Sequence, residues 1–352
     1  MAIELFDPVT LSAMVRQLPD TPQFLKNMFF RNRVTEPTTK VAFDVYKGKR
    51  RVAPYVSMRA KTPVAQKIGY TTNEAETPLV AVKDVTTIED VLKRMPGEVL
   101  MNSGTSPQER GMELLAMTMR DFDAQIGRRE EVMCSEALFD GVIHVRGEDV
   151  DYDIDFGLSN TGTAAVLWDA ASSTADPIQD LQAWAQECIV KGYKTPNVCV
   201  MSQNAYDAFL ERCIALGYLN QWHLLNLESE PQIMADGVYY AGRLRMPNLR
   251  IYVYNQYYID DWTTPGTPVE KNMVPKGKIL IASDSMLSTL FYGVLAYSDP
   301  MTRTITDVMG TRGADSWIEK DPDRRYFRMS SRPLPVPQEI DSWYVATVAA
   351  TT

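Results

Sequence analysis

An α+β fold is the class that this sequence of 352 residues predicts, on three observations. Runs such as residues 41–45 and 341–348 alternate apolar with polar, the period of a half-buried strand. From residue 107 an apolar seam at steps of three, four and seven predicts one long helix over 107–139. Between residues 176 and 213, helix, strand and helix patterns follow one another.

Composition narrows the function classes. At 45% hydrophobic and 23% charged the chain can bury a sizeable core, as one large domain or two modest ones. A formal charge of -9 argues against a surface built to grip nucleic acid, which needs an excess of Lys and Arg. Cys134, Cys188, Cys199 and Cys213 lie far apart without a CxxC pair, so they read as reduced, buried thiols and imply synthesis in a reducing compartment. The start carries Glu4 and Asp7 instead of a basic leader, and Ser288, Thr289 and Gly293 interrupt the longest apolar stretch, residues 286–297. Neither a signal peptide nor a membrane span is expected.

Residues 1–40 read as an arm. Two apolar clusters, Ile3, Leu5 and Phe6 and then Phe24, Leu25, Met28, Phe29 and Phe30, are separated by Pro8, Pro19 and Pro22. Residues 11–18 make barely two helical turns, marginal without a surface to dock on. Residues 41–93 read as strands, with a hairpin whose tip is Lys47-Gly48-Lys49-Arg50-Arg51 and whose second strand is 52–56, and a further strand at 79–85. The tip is read as a salt-bridging or solvated loop in preference to a nucleic-acid patch, because the chain is acidic and no aromatics interleave.

Ser106-Pro107 with Glu109 marks the start of the long helix. Its seam, Met112, Leu115, Met119, Phe122 and Ile126, is expected to fasten it to a sheet, leaving Arg120, Arg128, Arg129, Glu130 and Glu131 to solvent or neighbours. Residues 141–157 read as a hairpin. Its Asp151, Asp153 and Asp155 alternate with Tyr152, Ile154 and Phe156; a calcium loop would need Gly at 156 and Glu at 162, so the acids are read as a wet strand face. Residues 160–176 look like a linker. A helix from Asp176-Pro177 to Gly192, a strand at 197–201, a helix capped by Ser202, strands at 250–259 and 278–282, and a last strand at 341–348 complete the reading.

Common phosphate, dinucleotide, acyl-transfer and zinc motifs are missing from the sequence. His144 and His223 are read as structural, and the pairs Asp260-Asp261 and Glu130-Glu131 as solvated. No catalytic residue, cofactor or metal is expected.

Several segments in order carry a resemblance: residues 24–30 (FLKNMFF), 53–57 (APYVS), 84–96 before the long helix, 204–209 (NAYDAF), 251–254 (IYVY) with Gln256-Tyr257, and 321–327 (DPDRRYF). Together they resemble the lambda-type (E family) major capsid proteins of tailed bacteriophages, whose members share the Hong Kong 97-type capsid fold. The resemblance implies an N-terminal arm over 1–40, an E-loop over 41–93, a peripheral domain from 94–160 and 300–352 with a spine helix at 107–139, and an axial domain over 161–299. It implies that Phe6, Phe24, Leu25, Phe29 and Phe30 of the arm and Lys47, Lys49, Arg50 and Arg51 of the E-loop tip contact neighbouring subunits. It further implies self-assembly into hexamers and pentamers of an icosahedral shell, made in the bacterial host cytoplasm and enclosing double-stranded DNA without specific binding. Partners would be a separate scaffolding protein, since no large segment precedes the arm, a portal protein and a decoration protein. Alternatives are another head or tail structural protein, an encapsulin-type compartment, or an intracellular hydrolase with an unfamiliar site.

Overall fold

The path of the chain follows from where apolar side chains can be covered. A computed structural model describes residues 23–46, 52–53, 55–59, 61, 64, 70–87, 89, 107–147, 149–170, 174–218, 225–235, 237–260, 267–298, 305–321 and 323–350. Among them the order is α1 (Phe24–Phe29), β1 (Asn32–Thr35), β2 (Lys40–Tyr46), β3 (Tyr70–Glu76), β4 (Val80–Thr87), α2 (Pro107–Phe139), β5 (Val142–Gly147), β6 (Val150–Asp155) and β7 (Thr161–Thr163). Then come α3 (Pro177–Gly192), β8 (Val198–Met201), α4 (Gln203–Ala215), β9 (Leu225–Ala235), β10 (Val238–Leu244), β11 (Leu249–Tyr254), β12 (Tyr257–Asp260), β13 (Val269–Asn272) and β14 (Lys278–Ala282). The chain closes with β15 (Ser288–Tyr292), β16 (Leu295–Ser298), β17 (Ile305–Val308), β18 (Gly313–Lys320), β19 (Asp323–Ser331), β20 (Pro333–Pro337) and β21 (Tyr344–Thr347).

The seven-stranded sheet β7-β21-β14-β8-β11-β10-β9 is buried on both faces, which is why β8 reads Val-Cys-Val-Met without polar alternation. Cys199 and Met201 face α3 and α4, meeting Leu181, Trp184, Cys188 and Phe209; Val198 and Val200 face the C-terminal end of α2 with Leu138. Asp176 caps α3 by accepting from the Ile178 and Gln179 amides, while Ser202 at the start of α4 has the extended backbone of a cap but makes no side-chain cap bond. At the far end of α2, Gly141 takes φ 70°, and its amide and that of Asp140 both donate to the Glu136 carbonyl. A Cβ there would stand 2.3 Å from the Leu158 Cβ. The N-terminal half of α2 lies instead on the sheet β18-β19-β4, where Phe122 stacks on Phe327 at 5.9 Å between ring centroids. No helix among the described residues is long and apolar enough to cross a membrane.

Several readings are corrected. The partner of β2 is β3, in register from Lys40 with Glu76 to Tyr46 with Tyr70, so the hairpin is closed by residues 47–69 and not by a five-residue tip. The described residues of 52–57 form no strand, and no strand among the described residues pairs with them. The supposed linker is folded: β7 runs parallel to β21, and Trp168 is fully buried. Its small residues serve close packing, since a Cβ on Gly162 would lie 2.2 Å from the Tyr344 hydroxyl. β21, expected with the peripheral segment 300–352, is hydrogen-bonded into the sheet of the 161–299 segment through Val345 opposite Leu280. Met112 is 53% exposed, because apolar contact with the three-stranded sheet ends one turn later at half-buried Leu115.

A further correction concerns the arm. Phe24, Leu25, Phe29 and Phe30 are at most 8% exposed and belong to the chain's own core. Phe24 meets Tyr252 and Tyr254 of β11 at 5.3 and 5.6 Å between ring centroids. These side chains have an internal partner that lies far away in sequence, which is why the local pattern concealed it. Phe6 lies outside the described residues.

Candidate functional site

The feature that sequence reading missed is a buried charge cluster that fixes α1 to the long helix. The last third of α2 packs on several sides through Val132, Met133, Cys134, Ala137, Leu138 and Phe139, so Glu130 and Glu131 cannot reach solvent there and are 0% and 1% exposed. An unpaired carboxylate in such a place would be very costly. Each therefore has its own set of donors. The signal was available in the apolar residues 132–134 and 137–139, which spread round the helix with Ser135 and Glu136 as the only breaks and mark a turn covered on several sides.

Glu131 takes the place of a side-chain cap for α1. Its two carboxylate oxygens accept the backbone amides of Leu25 and Lys26 at 2.7 and 3.0 Å, and the Tyr254 hydroxyl donates to it at 3.0 Å. These are among the orphan amides at a helix start, which Gln23 leaves without a side-chain cap. Glu130 accepts from Lys26 Nζ at 2.7 Å and from both terminal nitrogens of Arg312, whose Nε donates to Asp123 at 2.8 Å. Lys26 and Arg312 are themselves 1% and 6% exposed. One carboxylate thus joins the N-terminal helix, the long helix and the segment before β18.

Electrostatics separates the two acids. Burial pushes Glu130 up, but Arg312 and Lys26 outweigh it and hold its pKa below the ordinary 4.5. Burial also pushes Glu131 up, and the amides of Leu25 and Lys26 with the Tyr254 hydroxyl offset this in part, leaving it above 4.5. Burial and the proximity of Glu131 push the Tyr254 phenol far up, so it stays a donor. The arrangement positions a segment; it presents no nucleophile or open cleft.

The other sequence-predicted residues are spread over the subunit. Met119, Phe122 and Ile126 lie in the cluster against β18 and β19. Lys47, Lys49, Arg50 and Arg51 lie outside the described residues, as do His223 and Asp261. Asp260 is buried and paired with Lys271 at 2.6 Å. His144 is half exposed and bonded to Asp153 at 2.8 Å; Asp151, Asp153 and Asp155 are exposed, and among the described residues no group of acids, His or Cys is placed to hold a metal. Between β2 and β3, Val52, Tyr55, Met58 and Val64 are 93%, 106%, 107% and 95% exposed.

Comparison with known proteins agrees with this architecture. The profile of the family described as phage major capsid protein E matches residues 7–348. The major capsid protein of Enterobacteria phage P21 and the P21 prophage-derived major head protein of Escherichia coli O6:H1 are each 22% identical over 334 residues, covering 91% of this chain and 92% of the relative. A crystal structure of a prophage capsid protein from Escherichia coli CFT073 superposes with a TM-score of 0.69 at 19% identity, covering 97% of this chain and 99% of that one. A phage-related protein from Bordetella bronchiseptica RB50 gives 0.50 at 12% identity over 98% and 97%. The fold is that of the phage capsid proteins, the Hong Kong 97 type. With a family match along almost its whole length, the chain belongs to the phage major capsid protein E family and is a phage major capsid protein.

Proposed function

We propose that the chain acts as a non-catalytic building block, closing with copies of itself as hexamers and pentamers into an icosahedral shell around double-stranded DNA that it encloses without specific recognition. The observation that carries this reading is the E-loop. Val52, Tyr55, Met58 and Val64 are almost wholly in water in the isolated subunit, four large apolar side chains within residues 52–64 that a neighbouring copy would cover. The net charge of -9 supports a container that releases its contents over one that grips them. Assembly in the host cytoplasm, with a scaffolding protein, a portal protein and a decoration protein as further partners, follows from the family resemblance.

The test replaces Val52, Tyr55, Met58 and Val64 together by Ser in the full chain, expressed with its scaffolding partner. Surface changes of this kind should move subunit stability by no more than about 0.5 kcal/mol each. The expected result is a folded subunit that yields no closed shells by electron microscopy. Normal shells from the variant would overturn the reading.

A further inference from the structure

Two strands alone have too little surface to hold a fixed direction, so the β2–β3 hairpin must be fixed from outside. It meets the body of the subunit at two places. The first is its base. Thr77, next after β3, is buried, and its amide and its hydroxyl both donate to the Thr39 carbonyl at 2.9 Å. It sits in a notch at Gly293, between β15 and β16, whose own amide donates to the Arg332 carbonyl at 3.0 Å. A Cβ on Gly293 would stand 2.3 Å from the Thr77 hydroxyl oxygen and 3.4 Å from the Thr38 carbonyl oxygen. The backbone of Gly293 is not left-handed, so the close approach alone calls for glycine there.

The second place is Phe43. Side chains alternate along β2 and β3, so Val41 and Phe43 are buried while Ala42 and Glu74 face water. Phe43 lies against Phe156 at 5.9 Å between ring centroids, and the Phe156 amide donates to the Gly141 carbonyl at 3.0 Å, just past the end of α2. Phe43 is four residues beyond Thr39, about 13 Å along the strand at ~3.3 Å per residue. A rod held at one point swings, whereas a rod held at two points that far apart has a direction. The two holds are rooted in different parts of the body, the β15–β16 connection and the end of α2. We propose that Thr77, Gly293, Phe43 and Phe156 are positioning residues for assembly. They set, already in the free subunit, the direction in which the β2–β3 hairpin leaves the body, and with it where Val52, Tyr55, Met58 and Val64 are presented. The consequence for assembly rests on the reading of the chain as a shell subunit; the preset direction does not.

Spin labels on Glu74→Cys in β3 and Glu211→Cys in α4, both exposed positions, read that direction as a distance in the full-length subunit; the native cysteines are buried. The otherwise unchanged chain should give one narrow distance peak. Gly293→Ala and Phe156→Leu should each broaden or shift it, while Gly147→Ala, whose Cβ would meet nothing within 4 Å, should leave it narrow. Should Gly293→Ala fail to fold, Thr77→Val decides in its place, since it keeps the size and drops the hydroxyl donor. Thr77→Ser, which keeps that donor, should stay narrow. A purely structural role would lower the melting temperature of these variants without broadening the peak. Without labels and co-expressed with the scaffolding partner, the chains with a broadened peak should lose closed shells by electron microscopy. A broad peak in the unchanged chain, narrow unshifted peaks in the folded variants, or a full shell yield from a variant with a broadened peak would each overturn the proposal. Failure of the parent chain to form shells would refute the shell reading and leave the distance result standing.

Discussion

Glu130 and Glu131 are adjacent in sequence and opposite in electrostatic behaviour, which gives the residue scale its sharpest test. Replacing Glu130 with Gln takes the carboxylate away from buried Lys26 and leaves Arg312 with Asp123 as its ion-pair partner, and breaking a buried pair costs about 3 to 5 kcal/mol. Because the folded pKa of Glu130 lies below 4.5, its contribution is full above that pH and is lost as pH falls through the folded value. The deficit of Glu130→Gln relative to the parent should therefore shrink in acid. For Glu131 the folded pKa is raised, so its contribution is full below pH 4.5 and is lost as pH rises through the folded value. The deficit of Glu131→Gln should narrow towards neutral pH. Urea midpoints across the pH range, showing slopes of opposite sign, check both; parallel slopes would contradict the assignment. On the seam, Phe122→Ala should cost about 3 to 5 kcal/mol, whereas Met112→Ala, at an exposed site, should stay within about 0.5 kcal/mol. The helix period identified buried Met119, Phe122 and Ile126, but it could not show where the sheet beneath them ends.

At the scale of elements, helices were the most legible, because their punctuation is local. Asp176-Pro177 starts α3, and Gly141 follows the end of α2. Hairpin pairing was less so: β3 reads Tyr-Thr-Thr-Asn-Glu-Ala-Glu, without the apolar alternation that would mark it as the mate of β2. The arm was misread for the same reason. α1 is covered by β11 and α2, more than a hundred residues away, and no short-range pattern records that contact. The consequence is a contrast between truncations. A chain beginning at Gln23 keeps α1 and should melt as the parent does. A chain beginning at residue 31 loses Phe24, Leu25, Phe29 and Phe30 from the core and exposes Glu130 and Glu131, and should lose its cooperative transition. Calorimetry on the two chains decides: equal melting would mean that α1 is not part of the core.

Across the whole molecule, the α+β class and the family resemblance were legible because they rest on order along the chain. The division into domains was not, since it depends on closure: β21 returns from the C-terminal end to lie between β7 and β14. The subunit so built is closed around its charge cluster and leaves Val52, Tyr55, Met58 and Val64, in the loop between β2 and β3, in water. The central claim is that a second copy covers that loop. A cryo-electron microscopy map of particles assembled from the full chain with its scaffolding partner tests this most directly. The account predicts closed shells in which these four side chains are buried against a neighbouring subunit; shells in which they remain in solvent, or no shells at all, would contradict it.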